Sequence, residues 1–329
     1  MDILTFILFI LGFIFLIKGA DFLVEGASAI AKRIGLSDIV IGLTIVSFGT
    51  SLPELLVGIN AGINEATDLA VGNVLGSNIS NVLLILGVAS IINPPGITRN
   101  TALREVPLSL LASFAILFMV NDVFLDDSGE NLLARSDGLI LILFFVIFIY
   151  YVFLISKSEK PAMLEGSSAE PMPLIKSAGF ILLGLAGLYF GGEWIVGGAV
   201  DIAHVFGLSE SIIGLTVIAI GTSLPELVTS VVAAMKDKAD IAIGNVVGSN
   251  IFNIFWILGV TASLFGLPFD QSSNFDILIV LLSTLLLNAF IFIDHRYTIQ
   301  RWQGWIFVML YVAYISALVL GEMGIISLG

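Results

Sequence analysis

Hydrophobic residues run along the chain in long blocks separated by short polar turns. The blocks fall at about 3–31, 38–63, 69–91, 104–121, 138–155, 174–203, 210–235, 241–266, 275–293 and 302–321. A helix needs about 20 apolar residues to cross a hydrocarbon core. The pattern therefore predicts an all-α, polytopic membrane protein with ten transmembrane helices. The first and sixth blocks are longer, so their helices should run past the membrane or tilt within it. Asp2 precedes the first block with no basic segment and no small-residue cleavage site, so the block reads as a retained helix rather than a signal peptide.

Composition narrows the class. Of the 329 residues, 58% are hydrophobic and 12% charged, against roughly 25% charged in a soluble domain. A mean hydropathy of +1.08 points the same way. A disordered chain is excluded and a soluble globule is disfavoured. The chain has no cysteine, which removes disulfides, thiol catalysis and cysteine–metal sites.

Basic residues set the expected orientation. Lys32, Arg33, Arg99, Arg104, Lys157, Lys160, Lys176, Lys236, Lys238, Arg296 and Arg301 all lie in or beside odd-numbered loops. The even-numbered loops carry Arg135, and Lys18 lies within the first block. This bias predicts a multi-pass protein of the cell membrane (inner or plasma membrane) with both termini outside. The longest loop, 156–173, would be cytoplasmic; it has linker composition and separates an N-terminal unit, 1–155, from a C-terminal unit, 174–329. The net charge of -13 comes mostly from acids in short loops. The cluster Asp122, Asp126, Asp127, Glu130 and Asp137 reads as a solvated outer loop. Lys18, Asp21 and Glu25 read as local pairing and snorkelling in the first helix, and Glu193, which matches Asp21, reads the same way.

The two units repeat one another. At an offset of 172 without gaps, residues 35–88 align with 207–260, and about 29 of the 54 positions are identical. The match extends weakly upstream, where Gly12, Gly19, Asp21 and Gly26 face Gly184, Gly191, Glu193 and Gly198. Five spans per unit is an odd number, so the second unit enters the membrane inverted. Inverted repeats mark many secondary transporters, because two equivalent half-structures can exchange roles across the bilayer.

The best-matched segments carry the chemistry. Gly49-Thr50-Ser51-Leu52-Pro53-Glu54 and Gly221-Thr222-Ser223-Leu224-Pro225-Glu226 lie near the middle of apolar blocks. Proline removes a backbone hydrogen bond and frees carbonyls in the preceding turn. Carbonyls freed at membrane depth persist only where they line a cavity or meet a ligand. Ser47, Thr50, Ser51 and Glu54 share a helix face at i, i+3, i+4 and i+7, and Ala219, Thr222, Ser223 and Glu226 repeat the pattern. In the following blocks, Asn73, Ser77 and Asn81 form one stripe and Asn245, Ser249 and Asn253 another. Two intramembrane glutamates are costly and read as functional. Carboxylate, amide, hydroxyl and carbonyl oxygens suit hard cations: calcium, sodium, magnesium or manganese. Two glutamates are neutralised by one divalent cation or two monovalent cations, and those loads exclude each other.

At these residues the chain resembles the cation/calcium exchanger family, in its prokaryotic sodium/calcium antiporter branch. The paired Gly-Thr-Ser-x-Pro-Glu and Gly-Asn-x-x-Gly-Ser-Asn segments look like that family's two α-repeats. The resemblance spans essentially the whole chain. It implies exchange of three sodium ions for one calcium, with no cofactor and with the bilayer as the only other partner. It implies that calcium is held by Glu54 and Glu226 with the Thr50 and Thr222 carbonyls. Ser47, Thr50, Ser51, Glu54 and Ser77 would form an inner sodium site. The Ala219 carbonyl, Thr222, Ser223, Glu226 and Ser249 would form an outer one, and Asn81 and Asn253 would border the middle position. The long first and sixth helices would slide to switch access. Some members have aspartate where this chain has Asn253, and two amides here argue against cotransported potassium.

Other readings remain at this stage. A proton/calcium exchanger of the same fold, or one carrying another divalent cation, is the alternative. The proton-coupled branch carries a different Gly-Asn-x-x-Glu pattern. An intramembrane enzyme would need a nucleophile–base pair or a catalytic metal site, and neither is present in the sequence. A channel fits poorly with closely spaced glutamates. Neither a nucleic-acid partner nor an obligate oligomer is expected; a monomer suffices as the working unit.

Overall fold

The apolar blocks become helices. The computed structural model describes residues 3–127, 129–158, 172–205, 219–293, 297–323 and 325. Helix α1 spans Ile3–Ile34. The second block is broken into α2, Asp38–Thr50, and α3, Leu52–Ile63, which meet at a bend of 43°. Then come α4 (Thr67–Ile92), α5 (Thr101–Met119), α6 (Arg135–Ser158) and α7 (Leu174–Val205). The seventh block gives α8, Ala219–Thr222, and α9, Leu224–Met235. The chain closes with α10 (Ala239–Phe265), α11 (Asn274–Ile293) and α12 (Arg301–Glu322). Among the described residues, eight helices are long and apolar enough to span a membrane, and the bent α2–α3 pair makes a ninth. The first part of the block at 210–235 and most of the linker 156–173 lie outside the described residues.

The repeat is visible in the backbone. The break at Ser51 (φ -86°, ψ 7°) recurs at Ser223 (φ -86°, ψ 2°), 172 residues on. A π-helical turn at Ser80–Leu86 in α4 recurs at Phe252–Leu258 in α10. Left-handed turn residues recur too, at Glu65 (φ 58°) and Asp237 (φ 56°). The fold is the all-α inverted repeat expected from the sequence, with nine spans among the described residues and α8 and α9 at the place of the tenth.

Burial sorts the helices into layers. In α4 and α10, 72% and 94% of the apolar window is buried, against 22% for α1 and for α12. So α4 and α10 form the centre. Large apolar side chains on the flanks, such as Phe13, Ile14, Leu143 and Ile147, stay exposed and suit contact with lipid chains.

Glycines allow the backbones to meet. Helices α1 and α7 run antiparallel along a seam where a Cβ at Gly19 would lie 2.8 Å from the Gly184 carbonyl oxygen. A Cβ at Gly191 would lie 2.8 Å from the Gly12 carbonyl oxygen, the same contact read from the other repeat. Another such crossing joins α2 to α10, with Gly42 against Gly244.

The loops separate into two faces. On the basic face, Gly96 bridges to Thr298 and the Arg301 guanidinium donates to the Ile92 carbonyl. On the acidic face, β1 (Leu132–Leu133) pairs antiparallel with β2 (Leu267–Pro268), and Asn121 and Asn274 exchange amide bonds. The local pair expected in α1 is present, and a distant residue adds to it. Lys18 reaches Asp21 at 3.5 Å, but Lys236, just past the end of α9, reaches it at 2.9 Å. Lys238 likewise holds Asp38 at 2.8 Å. The repeat-mates of Asp21 and Lys236 are Glu193 and Asn64, which cannot form an ion pair. Local pairing does not describe Glu193, which has no cation partner among the described residues and instead lines an open cleft.

Candidate cation-binding site

Each site element follows from local chemistry. Pro53 cannot supply the N–H that would satisfy the Gly49 carbonyl, and Pro225 repeats this toward Gly221. The helices stop and restart there, with Pro in the first turn of α3 and of α9. Glu54 and Glu226 sit in those first turns, beside the freed N–H groups of a helix start. The π-helical turns each add a residue and re-aim the side chains within them. Such turns recur at functional sites, and here they carry Asn81 and Asn253.

Most of the residues singled out from sequence converge at the centre. Glu54 and Glu226 are each 1% exposed. The Ser77 hydroxyl donates to Glu54 Oε1 at 3.0 Å and shares a 3.1 Å bond with the Ser223 hydroxyl. The Ser51 hydroxyl lies 3.1 Å from Glu226 Oε1 and 3.1 Å from the Ser249 hydroxyl. The chains Glu54–Ser77–Ser223 and Glu226–Ser51–Ser249 thus cross between the repeats. The Thr50 hydroxyl donates to Asn245 Oδ1 at 3.1 Å, and its repeat-mate Thr222 donates to Asn73 Oδ1 at 3.2 Å. Asn81 Nδ2 donates to Asn250 Oδ1 at 2.9 Å, and Asn253 Nδ2 donates to Asn78 Oδ1 at 3.0 Å.

Two of the singled-out residues stand differently. The Ser47 hydroxyl bonds back to the Thr44 carbonyl at 3.4 Å, within its own helix. Ala219 opens α8. Conversely, Asn73 and Asn245, placed in the polar stripes but not among the ion ligands, and Asn78 and Asn250, given no role, take part in the network. The signal was available: all four occupy matched positions in the two Gly-Asn-x-x-Gly-Ser-Asn segments.

What the network leaves over is mostly oxygen, with Asn73 Nδ2 the one unpartnered nitrogen among its members. Glu54 Oε2, Glu226 Oε2, Asn81 Oδ1 and Asn253 Oδ1 are buried and have no hydrogen-bond partner. Neither glutamate is ion-paired among the described residues, and the two carboxylates are close enough to feel each other's charge. Partnerless buried polar atoms are rare in folded proteins and call for an explanation. Four acceptors without a donor suit a cation.

A cleft of about 390 Å³ approaches this centre. Asn60, Val57 and Pro53 of α3, Tyr189 and Glu193 of α7, and Thr222 and Pro225 line it. It lies between α7 and α3, toward the end of α3 that leads to the acidic face. On the basic side the matching space is filled: Leu16, Ala20, Leu23 and Val24 of α1 are buried in an apolar cluster packed by Leu224, Val228 and Val232 of α9.

Comparison with known proteins agrees with this architecture. The family described as "Sodium/calcium exchanger protein" matches residues 4–154 and 176–320. The chain belongs to this family. The exchanger is 34% identical to the sodium/calcium exchanger MaX1 of Methanosarcina acetivorans over 327 residues, covering 88% of this chain and 91% of that one. It is 38% identical to the inner membrane protein YrbG of Escherichia coli K12 over 240 residues, 71% of each chain. Among solved structures it resembles the sodium–calcium exchanger NCX_Mj soaked with sodium and calcium. There the TM-score is 0.80 at 33% identity, over 97% of this chain and 99% of that one. Membership makes the exchanger a transporter of cations rather than a catalyst.

Proposed function

We propose that the exchanger is a sodium-driven calcium antiporter working by alternating access. The observation that carries this reading is the set of four buried, partnerless oxygens on Glu54, Glu226, Asn81 and Asn253. Calcium takes six to eight oxygen ligands, carboxylates foremost. Glu54 and Glu226 would hold it together with the Thr50 and Thr222 carbonyls. Sodium ions would occupy flanking positions, one at Ser47, Thr50, Ser51, Glu54 and Ser77, the other at the Ala219 carbonyl, Thr222, Ser223, Glu226 and Ser249, with Asn81 and Asn253 bordering the middle. Both loads use the same carboxylates, so one leaves before the other binds. That competition is what couples the two fluxes. The names of MaX1 and NCX_Mj support sodium and calcium as the pair.

Access would alternate by movement of the α1–α7 pair across the centre. Its glycine seam lets the two helices travel together, and they already differ in what they cover, a cleft at α3 and a packed wall at α9. The bias of basic residues supports a cytoplasmic linker and outer termini, which makes the cleft an outward opening. The exchanger has no cysteine, so single cysteines report access directly. In membranes with the acidic face exposed, Asn60→Cys should react with an impermeant maleimide. Its repeat-mate Val232→Cys should stay protected. Equal labelling of both would contradict one-sided opening.

The coupling ion is tested in vesicles. An outward sodium gradient should drive calcium uptake, and potassium or proton gradients of equal size should not. Calcium flux that follows the proton gradient would move the assignment to proton coupling. Manganese or magnesium that competes fully with calcium would move it to a general divalent exchanger.

A further inference from the structure

The site's amide oxygens are held in place by a second pair of amides. Asn78 on α4 and Asn250 on α10 are 1% and 2% exposed, and they sit where the two central helices cross. Asn78 Nδ2 donates to the Asn250 main-chain carbonyl at 3.4 Å, and Asn250 Nδ2 donates to the Asn78 carbonyl at 3.5 Å. A main-chain carbonyl only accepts, so each nitrogen must face its partner's backbone. Each Oδ1 is then turned outward, where it can only accept as well. Asn253 Nδ2 donates a hydrogen bond to Asn78 Oδ1, and Asn81 Nδ2 donates one to Asn250 Oδ1. With each nitrogen held toward this second pair, the Oδ1 of Asn81 and of Asn253 is turned the other way, and those are two of the four partnerless oxygens.

A carboxamide has nearly equal ends in size and opposite ends in charge. Turned one way it offers a ligand oxygen; turned the other, it points N–H at the cation. Nothing in the shape of Asn81 or Asn253 chooses between these. Resting on the cation-exchange reading above, we propose that Asn78 and Asn250 are positioning residues. They present the oxygens of Asn253 and Asn81 to the ion. The coupling is crossed between the repeats: Asn78 on α4 orients Asn253 on α10, and Asn250 on α10 orients Asn81 on α4. Neither Asn78 nor Asn250 touches the ion. The crossed pair also ties ligand orientation to the packing of α4 on α10, so a shift between these helices would turn both ligands at once.

The competing account is that Asn78 and Asn250 only glue two helices together. The full-length exchanger in vesicles separates the two. Asn78→Leu and Asn250→Leu should raise half-saturating calcium by about 10–100-fold, the usual effect of losing a group that orients a ligand. The maximal rate should fall much less. Double variants give the decisive measurement. Combined with Asn253→Ala, Asn78→Leu should add almost nothing, whereas combined with Asn81→Ala it should keep its full effect. Asn250→Leu should show the reverse. Where leucine prevents folding, alanine at the same positions removes the same acceptor and goes through the same cycles. Effects that add in every combination, or coupling of Asn78 to Asn81, would overturn the orientation role. Wild-type vesicles without sodium-driven calcium uptake would instead defeat the exchanger reading itself. The two failures are therefore distinct.

Discussion

Glu54→Gln and Glu226→Gln should each abolish sodium-driven calcium uptake while leaving the protein folded. Glutamine keeps the shape and the oxygen that accepts from Ser77 in one case and Ser51 in the other. It removes one of the two charges that balance a divalent cation. Taking away one member of a buried charge pair costs on the order of 3–5 kcal/mol, a loss of about 10²–10⁴-fold in affinity. The effect on stability should have the opposite sign. In the unloaded protein each carboxylate is buried beside a like charge, with one oxygen unpartnered. Removing a buried, uncompensated charge relieves that cost. Thermal unfolding in calcium-free detergent should therefore occur at the same temperature as wild type or higher, while the stabilisation that calcium gives the wild type should vanish. Variants that keep calcium uptake, or that lose it only by unfolding, would remove the glutamates from the site.

The second large effect is steric. Gly244→Ala should destabilise the exchanger by about 1–3 kcal/mol, the usual cost of overpacking, and reduce transport with it. The added Cβ would lie 2.9 Å from Gly42 Cα, from the Ile39 carbonyl oxygen and from the Leu43 nitrogen. All three are main-chain atoms, so no side chain can turn away and one helix must move. The neighbouring residue, Asn245, accepts from Thr50 across this contact at 3.1 Å. Pushing α2 off α10 stretches that bond and displaces Ser51 and Glu54 downstream. Gly58→Ala is the comparison, because its Cβ would meet the Thr261 hydroxyl at 3.1 Å, a side chain able to give way. Thermal shift and calcium uptake on both variants check the ranking. Equal tolerance at both positions would mean that the α2–α10 approach is looser than the structure has it.

How much of this was legible beforehand depends on the range of the interaction. The helix break was readable because Pro53 and Pro225 act within one turn, and the inverted repeat because it is written as identity at a fixed offset. Glu54 and Glu226 stood out because charge is rare in an apolar block. The second partner of Asp21 was missed for the opposite reason, although the local pair with Lys18 is present. Lys18 lies three residues away and suggested a local pair, whereas the shorter contact comes from Lys236, more than two hundred residues along the chain. Asn78 and Asn250 were visible as letters in a repeated segment. Their role needs the crossing of α4 and α10, and no spacing along one helix encodes that. The same holds for Glu105, which is buried in α5 and takes a hydrogen bond from the Tyr151 hydroxyl of α6. The π-helical turns at 80 and 252 also escaped, since no residue spacing in them marks the one-residue insertion.

The oxygens left without partners bear on thermodynamic efficiency. With no cation present, buried oxygens of Glu54 and Glu226 lack partners, and on the antiport reading this empty form would be the costly member of the cycle. A leak, in which one gradient collapses without driving the other, has to carry the empty centre from one side to the other. The cost that makes the vacant site unfavourable is then also the barrier against slippage, and fidelity of coupling needs no separate gate.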